Sequence, residues 1–283
     1  MARLLNLMGY AEGCLGLTSP IITLLSDFGL KDPYVAEMKA VILGICPDAR
    51  IVDISHSVPK FDVRMGAFTL ASAAPYFPDG TIHVAVVDPS VGTKRRALIV
   101  ETKRCFYVGP DNGLLILAAE KDGISQAYEI RNPKLMLSRV SSTFHGRDIF
   151  APSAARLASG ISPTEFGPKV KDCKRPSFSK PTLRANNELK GEVLHIDDFG
   201  NLITNVSSSD LAKLGIKITR LLNISLKDTL LHLQLYKTYG EAPLRSALAI
   251  IGSHDLLEIS VNQGSASQKL KAKVGDSLIV SQA

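Results

Sequence analysis

Between Ser19 and Gly167, apolar runs of strand length alternate with segments whose apolar residues recur at helical spacing. This alternation restricts that part of the chain to an α/β layer on a central, largely parallel sheet. Ile21 to Leu25, Arg50 to Ile54 and Thr81 to Val87 are the clearest strands. Between the first two, Val35, Met38, Val41, Ile42 and Ile45 share one face of a helix over Tyr34 to Ile45. Val63 to Ala74 can do likewise before the third strand.

From Lys169 to Lys190 the composition shifts to lysine, arginine, proline and serine, as in a solvated linker. The expected organisation is an extension over 1–18, an α/β domain over 19–168, a linker over 169–190 and a smaller antiparallel β domain over 191–283. The last rests on short runs separated by Gly, Asn and Asp: Gly191 to Ile196, Asn201 to Val206, Ile218 to Leu226, Leu230 to Leu235, Ala247 to Ile251, Leu256 to Val261, Leu270 to Val274 and Ser277 to Val280. Such a series fits a barrel or a sandwich.

The 283 residues are 45% hydrophobic, enough for a sizeable core. No apolar stretch approaches the roughly 18 to 20 residues of a spanning helix, so no membrane partner is expected. The excess of 33 Lys+Arg over 27 Asp+Glu is mild, and the Lys94-Arg95-Arg96 run has no interleaved aromatics, which argues against a nucleic-acid partner. Cys14, Cys46, Cys105 and Cys173 form no C-x-x-C pair and are read as reduced thiols of a cytoplasmic protein. Gly9 and Glu12 break the short apolar stretch near the N-terminus, and no small-residue cleavage site follows.

Asp27 follows the first strand and Asp88 the third. The crevice outside the carboxyl ends of the strands is where an open α/β sheet binds ligands. Each aspartate alone also fits a turn or a helix cap. Arg95 lies seven residues after Asp88, across a Gly-containing turn that can fold its guanidinium back onto the carboxylate. His145 sits in the polar segment SSTFHGRD before a probable helix. Ile196-Asp197-Asp198-Phe199-Gly200-Asn201 bundles acid, aromatic and amide at a turn, with GSHD and VNQG downstream. Such side chains together can hold an amine, a purine edge and a purine face. Asp27, His56, Asp88 and His145 taken alone also fit a metal site.

In order, SDFGLKDPYVAEMKAVILGICPDARIVDISHSV, YFPDGTIHVAVVDPSVGTKRR, PDNGLL, SSTFHGRDIFAP, IDDFGN and GSHDLLEISVNQGSA closely resemble the S-adenosylmethionine hydroxide adenosyltransferases, also called adenosine-forming S-adenosylmethionine hydrolases. The match runs from about Ile21 to the end. It implies an enzyme that splits S-adenosylmethionine with water into adenosine and L-methionine, with no metal and no separate cofactor. It also implies a homotrimer with active sites between subunits.

By the same resemblance, Asp88, Arg95 and His145 handle the water. Asp27 takes the ribose hydroxyls and Phe61 packs on the sugar. Asp197 and Ser253 hold the methionine amine and carboxylate with Asp32 nearby, and Phe199 and Asn201 contact adenine. His254 stands where related halogenases have an arginine. The fluoride enzymes have tyrosine at the Asp88 position and Tyr-Ser in place of His145-Gly146, so the hydrolase pattern is the one kept here. One departure is Ser90, where the family pattern leads us to expect glycine; a need for positive φ there would strain a serine. The alternatives are a non-catalytic adenosine or S-adenosylmethionine sensor, an S-adenosylmethionine-dependent halogenase, and a metal-dependent phosphohydrolase. A methyltransferase would need a Gly-rich loop after its first strand, and Ser26-Asp27-Phe28-Gly29 has one glycine.

Overall fold

A computed structural model describes residues 19–176, 180–216, 220–227 and 229–283. The N-terminal extension with Cys14, and Ile218 of the third C-terminal run, lie outside the described residues. The chain divides into two compact units at 176/177.

In the first unit the order is β1 (Ile21–Ser26), α1 (Tyr34–Ile45), β2 (Arg50–Ser55), α2 (Val63–Ala73), β3 (Ile82–Val86), β4 (Ala97–Thr102), β5 (Phe106–Pro110), α3 (Ile116–Asp122), β6 (Ile124–Glu129), α4 (Ala151–Ala158) and β7 (Lys169–Val170). The strands form one sheet in the order β2-β1-β3-β5-β4-β6-β7. The β2, β1, β3 and β5 neighbours pair in parallel, while β4 is antiparallel to both β5 and β6, so β6 points the same way as the parallel set. β1 and β3 are apolar along their length because both faces of the sheet are covered. Ile22, Leu24, Val84 and Val86 pack with α1 and α4 on one side. Leu25, Ala85 and Val87 pack with α2 and α3 on the other.

Buried polar groups also lie on the second side. Thr23 and His83 are register partners on β1 and β3, with Thr23 Oγ1 2.7 Å from His83 Nδ1. The His83 ring stacks on Tyr107 with centroids 4.9 Å apart, and Tyr107 donates to Asp122 Oδ2 at 2.6 Å. Among the described residues His83 Nε2 has no hydrogen-bond partner. Burial lowers its pKa to about 4, the nearby Arg104 charge adding to the effect and Asp122 opposing it. The unfolded chain therefore binds a proton near pH 6.5 that the folded protein refuses until about pH 4. Stability from this group is complete above pH 6.5 and is lost as pH falls towards 4, to a limit of roughly 3 kcal/mol. Urea unfolding across that range checks this: the slope of unfolding free energy against pH should lose one proton in His83→Gln, and an unchanged slope would refute it.

The second unit contains β8 (Thr182–Arg184), β9 (Glu188–Ile196), β10 (Leu202–Ser207), α5 (Ser208–Lys213), β11 (Leu221–Leu226), β12 (Thr229–Tyr236), β13 (Ala247–Ile251), β14 (Leu256–Val261), α6 (Ala266–Leu270) and β15 (Ser277–Gln282). The order β10-β14-β13-β12-β11-β15-β9-β8 is closed by an additional β9–β10 pairing, making a barrel with β8 attached outside. All neighbours are antiparallel except β12–β13. Alternate side chains such as Leu222, Ile224, Leu226, Leu278 and Val280 fill its core.

Two sequence expectations are corrected. Leu270 to Val274 is not a strand, because Ser265 accepts from Gln268 N at 3.2 Å and caps α6, after which Lys271 is left-handed at φ 49°. The segment read as a linker is structured at both ends: Lys169–Val170 pairs with β6, and 188–190 opens β9, where Leu189 is buried. Between these ends, Asp172 accepts from Arg96 Nη1 and the Lys174 backbone N donates to Asp111, so 172–174 is tied to the rest of the first unit.

Candidate active site

β1 leads to β2 on one side and the chain then returns to β3 on the other, which places a topological switch point at the carboxyl ends of β1 and β3. Asp27 and Asp88 emerge there. Asp27 is buried, its Oδ2 accepts from Phe61 N at 2.9 Å, and its carbonyl accepts from Lys60 Nζ. Phe61 has a φ of 65°, a conformation uncommon for an aromatic residue, and its side chain is 69% exposed. The bond to Asp27 helps hold this strained position, which presents a bare ring beside a buried carboxylate.

Arg95 folds back onto Asp88. Its Nε donates to Asp88 Oδ2 at 2.9 Å, and its Nη2 bonds the same oxygen as well as His145 Nδ1, the latter at 2.8 Å. Side-chain exposures of 3% for Arg95 and 4% for Asp88 put this pair in a low-dielectric setting, where the contact is electrostatically strong. The guanidinium also lies over the Phe150 ring, 5.3 Å from its centroid. A guanidinium only donates, so His145 Nδ1 must accept and the neutral ring carries its proton on Nε2. Burial, followed by the Arg95 charge, lowers the His145 pKa and keeps the ring neutral.

His145 is delivered by a loop organised around the fully buried Asp148. Asp148 accepts from Ser141 N at 2.7 Å and from Arg147 Nε at 2.7 Å, and Arg147 continues to Glu37 on α1. After His145, Gly146–Phe150 winds as one π-helical turn, closed by Ala151 N donating to Gly146 O, before α4 begins. Such turns recur at functional sites. Asp27, Phe61, Asp88 and His145 line one cavity of about 420 Å³, together with Phe28, Tyr34, Lys60 and Phe144. Sequence reasoning missed these last four. Their only signal was proximity to the strand ends and to the histidine.

Ser90 is not among the residues with positive φ, so the expected strain is absent. The left-handed residue is Gly92, at φ 77°. Its missing Cβ matters as well, since a side chain there would run into the Ser142 carbonyl of the His145 loop.

In the second unit, Asp197, Phe199 and Asn201 line a cavity of about 480 Å³ with Tyr239, Val261, Gln263 and Gly264. Asn201 donates from N to Asp197 Oδ1 and from Nδ2 to Oδ2, both at 2.8 Å. This fixes the carboxylate and leaves the amide oxygen of Asn201 as an acceptor. Phe199 is 80% exposed, a large apolar ring ready to be covered. Tyr239, which sequence reasoning also missed, donates to Glu258 Oε2 at 2.7 Å. Burial, with the Asp197 charge, pushes the Glu258 carboxyl pKa up. Asp32 in the first unit and Ser253 and His254 in the β13–β14 turn are exposed and line neither cavity.

Among the described residues no three His, Cys, Asp or Glu converge as metal ligands. Arg95 stands between Asp88 and His145, and His56 is engaged with Ser26 and Asp53 at 2.7 and 3.1 Å.

A switch-point crevice with a buried Asp-Arg-His cluster, followed by a β barrel with an acid-amide-aromatic pocket, defines a two-domain class of small-molecule enzyme. Residues 22–167 match the SAM hydroxide adenosyltransferase N-terminal domain and residues 191–279 the C-terminal domain of the same name. The chain belongs to the SAM hydroxide adenosyltransferase family. It is 39% identical to the (R)-S-adenosyl-L-methionine hydrolase of Thermus thermophilus over 89% of this chain and 95% of that protein. It is 31% identical to a fluorinase of Nocardia brasiliensis, covering 92% and 96%. An uncharacterized conserved protein from Thermotoga maritima superimposes with a TM-score of 0.87 at 37% identity, covering 92% of this chain and 99% of the other.

Proposed function

We propose that this protein hydrolyses S-adenosyl-L-methionine to adenosine and L-methionine by attack of water or hydroxide at ribose C5′. The observation that carries this reading is the single Arg95 guanidinium bonded to both Asp88 and His145 beside the Asp27 and Phe61 cavity. The leaving group, a neutral thioether, needs no proton and no cofactor, so the chemical demand falls on the nucleophile. Bulk water ionises with a pKa near 15.7, and fixed positive charge beside the attacking oxygen offsets that cost. Asp88 aims Arg95 and accepts the water's proton or hydrogen bond, while His145, its Nδ1 held by Arg95, presents Nε2–H as a donor that orients the water. Asp27 takes the ribose hydroxyls and Phe61 covers the sugar. Asp197 and Ser253 take the methionine amine and carboxylate with Asp32 nearby and His254 next to Ser253, and Phe199 and Asn201 hold adenine.

Reaction in ¹⁸O-labelled water should yield equal adenosine and methionine, with label at the 5′ oxygen. Unlabelled adenosine would reject displacement by water. Intact ligand recovered after incubation would favour the sensor reading. A 5′-halogenated product at comparable rate would favour the halogenase, against which Asp88 argues because a carboxylate can accept the proton that water gives up on attack, while a halide has none to give.

The first unit offers Asp27, Phe61, Asp88 and His145 in one cavity for ribose and water, and the second offers Asp197, Phe199 and Asn201 in another for methionine and adenine. In our reading these sets combine between neighbouring subunits of a cytoplasmic homotrimer, a ring of heterologous contacts. Among the described residues no helix is long and apolar enough to cross a membrane. Mixing Asp88→Ala with Asn201→Ala protein under subunit exchange should restore activity. No recovery despite proven exchange would reject shared sites and leave hydrolysis standing.

A further inference from the structure

We infer that Ser90 and Thr93 form a clasp that positions Asp88 against Arg95, and this rests on the hydrolytic reading above. Asp88 Oδ2 is taken by the Arg95 side chain, while Oδ1 accepts from Ser90 Oγ at 3.2 Å. The Ser90 carbonyl in turn accepts from Thr93 N at 3.2 Å and from Thr93 Oγ1 at 2.8 Å. Thr93 Oγ1 also accepts from Arg95 N at 3.4 Å. Through the covalent frame of Ser90, these hydrogen bonds link the carboxylate to the backbone of its own partner.

A carboxylate turns easily about its last bond, because that torsion has broad minima. Held at one oxygen only, Asp88 can swing while keeping Arg95. Held at both, its plane is fixed, and so is the direction from which Oδ1 meets a water. Glycine at position 90 would keep the carbonyl half of the clasp and lose the hydroxyl half, so Ser90 adds a constraint that glycine there would lack. Neither Ser90 nor Thr93 lines the cavity, and Thr93 is exposed. Their loss should therefore act on turnover and leave substrate binding and folding nearly untouched.

The test compares kcat and KM of wild type, Ser90→Ala, Thr93→Val, the double variant and Ser90→Thr, with thermal unfolding as a control. Each single variant should lose about three- to tenfold in kcat, the scale of one ordinary hydrogen bond, with KM unchanged. The double variant should lose little more than either single one, because the two act as a unit, and Ser90→Thr should retain turnover. Unchanged kcat in the single variants, losses confined to KM, or losses that multiply in the double variant would overturn the clasp with wild-type hydrolysis intact. A wild type that releases no adenosine would reject the hydrolytic reading and the clasp together.

Discussion

Arg95→Lys is expected to lower turnover by about 10²- to 10³-fold although the charge is kept. The guanidinium reaches Asp88 with two nitrogens and His145 with one of the same two, while lying over Phe150. A lysine ammonium is a compact point charge and cannot keep that planar fork or the stacked contact. The nearly buried Asp88 would then be partly unsatisfied, and His145 would lose the donor that sets its tautomer. On the proposed hydrolytic reading, in which these groups act on the attacking oxygen rather than on the adenosine, the effect should fall on kcat more than on KM. Single-turnover kinetics with substrate-binding measurements separate the two, and near-wild-type turnover would remove Arg95 from the water-handling role.

Gly92→Ala should damage both stability and turnover. A left-handed φ of 77° costs a non-glycine residue roughly 1 kcal/mol or more, and the new methyl collides with the Ser142 carbonyl. Gly92 lies between Asp88 and Arg95, and Ser142 lies three residues before His145. Pushing these loops apart stretches the Arg95–His145 contact, so turnover should fall about tenfold or more. Gly80→Ala is the control, because Gly80 has a φ of 84° but open space around its missing Cβ. It should show the conformational cost in urea unfolding without the catalytic loss. Equal stability and activity in the two variants would show that the close approach to Ser142 is unimportant.

The comparison of sequence with structure divides along a physical line. α1 was legible over Tyr34–Ile45 and the parallel strands β1, β2 and β3 to within a residue or so, because burial on defined faces forces a regular apolar pattern. Asp27 and Asp88 were legible as site candidates because they directly follow such strands. The 3.2 Å Ser90–Asp88 bond was not, since a loop hydroxyl leaves no periodic trace. Glycine was expected at position 90, yet the turn takes its positive φ two residues later. Tyr239 sits in a short irregular segment, and only barrel closure brings its ring to Asp197 and Asn201. The antiparallel β4–β5 hairpin was hidden for a similar reason. Its connection, Lys103 to Cys105, has neither glycine nor proline, and Thr102 Oγ1 makes the turn by bonding Cys105 N at 2.9 Å.

The wide turn at Gly146–Phe150 has a consequence for how this chain tolerates length changes. A π turn accommodates one residue more than ordinary helical winding, and here it takes that residue up locally, between Gly146 O and Ala151 N. Removing a single residue there would let the segment relax into a regular α-helix while the chain on both sides keeps its phase. The same deletion in a regular helix would rotate everything ahead of it by about 100°, the angle each residue contributes. A change of one residue in length should therefore be better tolerated inside this turn, with His145 still opposite Arg95, than in the regular helix that follows it.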